Sequence, residues 1–151
     1  LVLSYCREEI KGWINSTISR EHMRHVDLVI VAKCPGADAL GAVPLRHLWR
    51  SVSAVEVEDL PLRADECSAY LGYLAKSYED LPGHMVFVHA DAPEHIGSIH
   101  RPNILDDTLR ALVMGAEIPF AHLGGNRVTM GWRPQEMEPL WRGGFGGGPG
   151  A

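Results

Sequence analysis

The run VDLVIVAKCPG, residues 26–36, constrains the fold more than any other part of this chain. Residues 26–31 are apolar and mostly β-branched apart from Asp27, a composition that suits a strand covered on both faces. Such a strand needs a packed layer above it and another below. Cys34-Pro35-Gly36 then ends it, because proline lacks a ladder donor and glycine opens a turn.

The neighbouring segments alternate in period. Residues 1–5 read as a short buried strand, and residues 7–20 as an amphipathic helix carrying Ile10, Ile14 and Ile18. Gly41 and Pro44 leave room for only one short helix after Pro44. Val55 and Val57 alternate with Glu56 and Glu58, the pattern of a half-buried strand. The clearest helix follows, with Cys67, Tyr70, Leu71, Leu74, Ala75 and Tyr78 as apolar positions, Asp65 as N-cap and Pro82-Gly83 as its stop. HMVFVH, residues 84–89, reads as another buried strand, and a helix over residues 103–114 carries Leu105, Leu109, Leu112 and Val113 on one side, with Pro102 and Asn103 at its entry. Trp13, Tyr70 and Tyr78 are expected in the core, and Trp132 at the C-terminal edge. Strands alternating with helices predict an α/β fold in three layers, a mostly parallel and Rossmann-like sheet flanked by helices.

A length of 151 residues predicts one domain with a real core, placed at residues 1–142, and the glycine-rich end at 143–151 reads as a flexible tail. The chain opens without methionine inside a strand-like run, as expected of a fragment; cytoplasm and secretory lumen both remain open. No apolar run approaches the roughly 20 residues of a membrane span. A formal charge of −5 supplies no basic stripe for nucleic acid. Three cysteines, Cys6, Cys34 and Cys67, form no CxxC pair and no even framework, which argues for a reducing compartment; a Cys6–Cys34 bridge would reverse that argument.

The functional signal sits in MVFVHADAPEH, residues 85–95, where a strand delivers His89, Asp91, Glu94 and His95 around Pro93. In open α/β sheets ligands bind outside the carboxyl ends of strands. Side chains two apart on an extended strand share a face, so His89 and Asp91 are candidate ligands for Mn²⁺ or Zn²⁺, with a third donor from Glu94, His95, His100 or another loop. The same residues also suit a plain strand end and an Asx turn. Lys33 is a candidate phosphate ligand at another strand end. No Walker loop, GxGxxG, GxSxG or HExxH pattern is present.

LPLRADECSAYLGYLAKSYEDLPGHMVFVHADAPEH, with LVLSYCREEIKGWI and VDLVIVAKCPG before it, resembles the uncharacterised family called domain of unknown function 3431 over most of residues 1–133. The matching positions are Trp13, Glu66, Tyr70-Leu71, residues 78–82, Val86-Phe87 and His89; Arg63-Ala64-Asp65-Glu66 replaces the usual lead-in, and Tyr73 stands where that family has histidine. That family is similar to nucleotide-sugar glycosyltransferases of the A-type fold, whose strand-end Asp-x-Asp corresponds here to His89-Ala90-Asp91. The resemblance implies Mn²⁺ or Mg²⁺ on His89 and Asp91, a nucleotide-sugar donor facing Ser4, Tyr5, Arg7 and Glu8 with Lys33 and Glu66 nearby, and Glu94 or His95 as the base for a glycan or other hydroxyl acceptor. Two other classes stand beside it: a non-catalytic binding or scaffold domain, and a metal-assisted hydrolase using the same loop.

Overall fold

The computed structural model describes residues 1–57, 66–94, 96, 103–118 and 123. The features expected at Asp65, His95, His100, Pro102, Trp132 and residues 143–151 lie outside the described residues, as does the side chain of Glu94.

Among the described residues, β1 (Val2–Tyr5), β2 (Asp27–Ala32), β3 (Ser51–Glu56) and β4 (Phe87–His89) form one sheet in the order β3-β2-β1-β4, with every pair parallel. Four helices accompany it: α1 (Lys11–Thr17), α2 (Arg20–Met23), α3 (Glu66–Lys76) and α4 (Ile104–Val113). The chain adds β2 and β3 on one side of β1, then crosses to place β4 on the other. Side chains alternate across the sheet, so each strand feeds two cores. Leu3, Leu28, Ile30 and Val88 bury with Trp13 and Ile14 of α1 and Leu105 and Leu109 of α4. Val2, Val31 and Val57 bury with Ala69 and Tyr73 of α3. The α/β expectation holds, with helices on both faces of the sheet.

Several local expectations need correction. The helix expected over residues 7–20 is broken in two. Glu8 Oε2 accepts the N–H groups of Cys6 at 2.6 Å and Arg7 at 2.9 Å, and Glu9 Oε1 accepts that of Lys11 at 2.7 Å, so those donors serve a loop instead of a first helical turn. After Thr17, Ile18 turns extended (φ −109°, ψ 124°), and Ser19 starts α2 by accepting from the His22 N–H. Ile10, Ile14 and Ile18 are nevertheless all buried, as their spacing predicts. The short helix after Pro44 is a single 3-10 turn, Arg46–Leu48, and β3 starts at Ser51, earlier than the valine alternation suggested. As an edge strand it is mostly exposed.

The face of α3 was also misread. Leu71 is 60% exposed and Tyr78 72% exposed, whereas Ser68, Ala69 and Tyr73 are buried. The sheet lies so close to this helix that a Cβ added at Gly72 would stand 2.9 Å from Val57 Cγ1. Ser68, Ala69 and Gly72 make this close approach possible, with Tyr73 filling the buried layer beside them, while Leu71 turns outward. On α4, Val113 is likewise exposed while Leu105 and Leu109 are buried, and Asn103 makes no side-chain cap.

Cys6 and Cys34 are joined by a disulfide, with Cα atoms 4.9 Å apart and a sequence separation of 28. This overturns the argument for a reducing compartment, since such bridges form and persist where thiols are oxidised. At the amino-terminal edge, Asp27 accepts from Arg50 Nε at 2.8 Å and Ser51 Oγ at 2.6 Å, and Arg50 Nη2 also contacts Asp27 Oδ2. The Arg50 hydrogen bonds, followed by that of Ser51 and the Arg50 charge, outweigh desolvation and hold the Asp27 carboxyl down to about 2.

Two outcomes follow. Reduction, or Cys6→Ser with Cys34→Ser, is expected to lower stability by roughly 3 to 4 kcal/mol by freeing the unfolded chain, seen as a fall in Tm of roughly 10 °C; an unchanged midpoint would show that the bridge does not constrain the unfolded state. For Asp27 the folded value lies below the unfolded one, so its stabilisation is complete above the ordinary carboxylate range and disappears as pH falls toward about 2. Asp27→Asn is expected to flatten that acid limb in pH-dependent melts. The effect is small, because the Asp27 side chain is 40% exposed and its pairing is screened.

Candidate functional site

Where strands are added on opposite sides of a central strand, the two loops leaving the carboxyl ends diverge and open a crevice. Here that reversal falls between β1 and β4, so Ser4 to Glu8 and His89 to Asp91 flank it. Register brings Ser4 directly opposite His89, and paired neighbours in a parallel sheet point to the same face. On this face α3 presents Glu66 in its first turn.

His89 is the hub of the cluster. Its Nδ1 lies 3.0 Å from Asp91 Oδ1 and 3.5 Å from Glu66 Oε1. An ionised carboxylate can only accept, so in the Asp91 hydrogen bond Nδ1 carries the proton and Nε2 is left with its lone pair when the ring is neutral. Lys33 Nζ stands 3.8 Å from Glu66 Oε1, with the lysine side chain only 12% exposed. The lysine is therefore largely covered and charge-paired. Glu66, Lys33, His89 and Asp91, four of the residues expected at the site, are brought together.

The remaining candidates divide. Ser4 shares the face of His89; its residue is 2% exposed and its Oγ is buried with no hydrogen-bond partner among the described residues. Tyr5 points to the opposite core, where burial, then Glu8, push its phenol up. Glu8 spends one carboxylate oxygen on the N–H groups of its own loop, and Arg7 Nη2 donates to Pro35 O at 3.3 Å, tying the β1 and β2 loops together beside the disulfide. These two residues shape the rim. Glu94 ends a 3-10 turn at Ala92–Glu94, and His95 lies outside the described residues.

Two contributors were not singled out as functional from sequence. Trp13, expected only as core, is buried and donates from Nε1 to Ala90 O at 2.6 Å, so α1 pins the peptide between His89 and Asp91. Tyr70 also reaches the cluster: one turn after Glu66, it packs on Phe87 with ring centroids 5.0 Å apart, and its buried hydroxyl has no partner among the described residues. Burial, then the charges of Glu66, Cys67 and Asp91, push the Tyr70 phenol up, so it stays a protonated donor. The i, i+4 step from Glu66 to Tyr70 was the available signal.

The metal expectation can be tested against these donors. Asp91 occupies one nitrogen of His89, and among the described residues no group of three His, Cys, Asp or Glu side chains is placed to hold an ion. The described donors alone do not fit a metal site. A cleft of about 600 Å³ opens instead at the amino-terminal edge, where Asp27, Arg50 and Ser51 already satisfy one another. No family model, curated protein or solved structure matches this chain.

Trp13→Phe keeps the aromatic bulk but leaves the Ala90 carbonyl buried without its donor. It is expected to cost roughly 1 to 3 kcal/mol in denaturant unfolding and to loosen the His89 loop, read as faster amide exchange at residues 89–92. An unperturbed loop would show that the indole merely fills space.

Proposed function

We propose that this chain is a glycosyltransferase-like domain of Rossmann-like, A-type character that binds a nucleotide-sugar donor in the crevice between β1 and β4. The observation that carries this reading is the His89, Asp91 and Glu66 cluster at the carboxyl end of β4, beside the reversal in strand order. It is supported by the resemblance of the surrounding sequence, in which Glu66 and His89 stand at matching positions.

In this proposal His89 is the base. Asp91 fixes the ring through Nδ1 and Glu66 lies on the same side, so Nε2 accepts the proton from an acceptor hydroxyl as that oxygen attacks the sugar carbon. The carboxylates stabilise the imidazolium that forms, without taking the proton themselves. Mn²⁺ or Mg²⁺ is implied by the resemblance alone, since the described donors do not fit it, and it enters only as one arm of the test. The Cys6–Cys34 bridge supports an oxidising compartment, such as the secretory lumen, for this reading. Among the described residues no helix is long and apolar enough to cross a membrane.

The deciding experiment follows thermal unfolding with uridine diphosphate, Mn²⁺, both and neither, together with release of uridine diphosphate from uridine-diphosphate sugars. Nucleotide at about a hundred times its Kd is expected to add about 2.7 kcal/mol, a rise in Tm of roughly 5 to 10 °C. His89→Ala should retain binding and lower turnover by about 10² or more. Superimposable melting curves with no turnover would move the assignment to a non-catalytic binding domain.

A further inference from the structure

β3 ends the sheet order β3-β2-β1-β4, so among the described residues its outer side has no strand beside it. Its bonds to β2 fix which backbone groups face outward. Val57 N–H donates to Ala32 O at 3.0 Å, and the two-residue period of a strand turns the amides of Val55 and Ser53 the same way. The N–H and C=O groups of Val52, Ala54 and Glu56 therefore point away from the sheet. Lys76 Nζ, reaching from α3, donates to Glu56 O in keeping with that direction, and it guards that one carbonyl. Natural edge strands are blunted by proline, by bulges, by charge or by being very short. β3 is not: its six residues SVSAVE keep unbroken register with β2, contain no proline or glycine, and carry a single charge, at Glu56. Ser51, Ser53 and Ala54 are small and exposed, which leaves the backbone open to approach, while Val52 and Val55 are only partly buried against the two cores.

We propose that this edge binds the β3 edge of a second copy of the chain, antiparallel about a two-fold axis at Ser53, joining two four-stranded sheets into one. A row of outward N–H and C=O groups is complemented by another extended backbone. Symmetry then narrows the register: a two-fold axis perpendicular to the sheet opposes only residues that share a face, so it falls on a residue and not between two. With the axis at Ser53, Val52 stands opposite Ala54 of the second copy, and each such pair exchanges both N–H···O bonds. The same register sets Arg50 opposite Glu56 of the second copy, twice by symmetry, so a cation meets an anion at each end of the interface. Arg50 spends Nε and Nη2 on Asp27, which leaves the donors of Nη1 for a further acceptor on a side chain that is 60% exposed, and Glu56 is exposed as well. An axis at Ala54 would oppose Glu56 to Val52 and lose that complementarity. Six residues from each copy make an interface at the small end of specific association, so the dimer is weak and concentration-dependent. The crevice between β1 and β4 lies beyond β2 from this edge and stays open.

The test follows sedimentation velocity of the full 151-residue chain over a wide concentration range, with Cys67→Ser throughout to remove the exposed free thiol. The dimer fraction is expected to rise with concentration. Ala54→Pro deletes an outward N–H while leaving the bonds to β2 in place, so it should weaken self-association by roughly 30-fold, the worth of two hydrogen bonds, in a monomer that still melts cooperatively. Glu56→Arg sets like charges opposite one another and should weaken it by roughly fivefold, an effect that high salt removes. With glutathione disulfide as oxidant, Ser53→Cys should be captured as a covalent dimer, because a non-hydrogen-bonded antiparallel pair brings its Cα atoms within disulfide range. Ser51→Cys, opposite Val55 of the second copy, should not. That capture reads the register even if Ala54→Pro fails to fold. A chain that stays monomeric at every concentration, a dimer that persists in Ala54→Pro, or capture at Ser51→Cys as readily as at Ser53→Cys would overturn the proposal. A monomer that binds the synthetic peptide RSVSAVE would overturn the second-copy assignment and give the edge to an extended segment of another protein.

Discussion

The position of β1 is the constraint from which the rest of the structure follows. All four of its residues are buried, and it is paired in parallel on both sides, with β2 through Val2–Tyr5 and with β4 through Val2, Leu3 and Ser4. Parallel neighbours cannot be joined by tight turns, so each crossover must travel over a face of the sheet, with α1 and α2 between β1 and β2, a single 3-10 turn between β2 and β3, and α3 between β3 and β4. Building β2 and β3 to one side and β4 to the other then separates the loops at the carboxyl edge of β1. Burial of strands such as these contributes roughly 1.5 to 3 kcal/mol per large side chain, against at most about 1 for an exposed ion pair. The hydrophobic layers decide the architecture, and the polar contacts adjust its edges.

Those adjustments converge on one edge. The disulfide and the Arg7 contact with Pro35 tie the loops after β1 and β2, and Trp13 holds the loop after β4. On the far side of α1, Asp106 accepts from the Ser19 N–H at 2.9 Å and lies 2.8 Å from His22 Nδ1, which fastens α4 to α2. The loops flanking His89 are thus fixed from three elements distant in sequence. In the proposed function, such support would keep the His89 ring within the narrow range of orientations that proton transfer requires.

How much of this was legible depended on whether the deciding force was local. The strands were readable because β-branched runs such as residues 26–31 declare burial on both faces by themselves. The break at Ile18 was not, because Ile10, Ile14 and Ile18 keep helical spacing while the backbone bonds of Glu8, Glu9 and Ser19 interrupt the helix. On α3, counting large apolar residues selected Leu71 and Tyr78, but close approach to the sheet selected Ser68, Ala69 and Gly72. The bridge was invisible to cysteine counting. It becomes legible only with the register, which pairs Tyr5 with Ala32 and so sets Cys6 and Cys34 just past adjacent strand ends. At the site, the two-residue step from His89 to Asp91 is readable from strand geometry, whereas Glu66 follows from the resemblance and the helical spacing of Tyr70 points only to the core.

The unmade hydrogen bonds carry the last step of the argument. A chain selected only for stability would place alanine at residue 4 and phenylalanine at residue 70, since both hydroxyls are covered and have no hydrogen-bond partner among the described residues. Functional sites are where locally unfavourable choices are retained, because the groups must be ready for a ligand rather than satisfied without one. The carboxylates beside them gather on the same ring: Glu66 and Asp91 both approach Nδ1 of His89, and Lys33 stands beside Glu66.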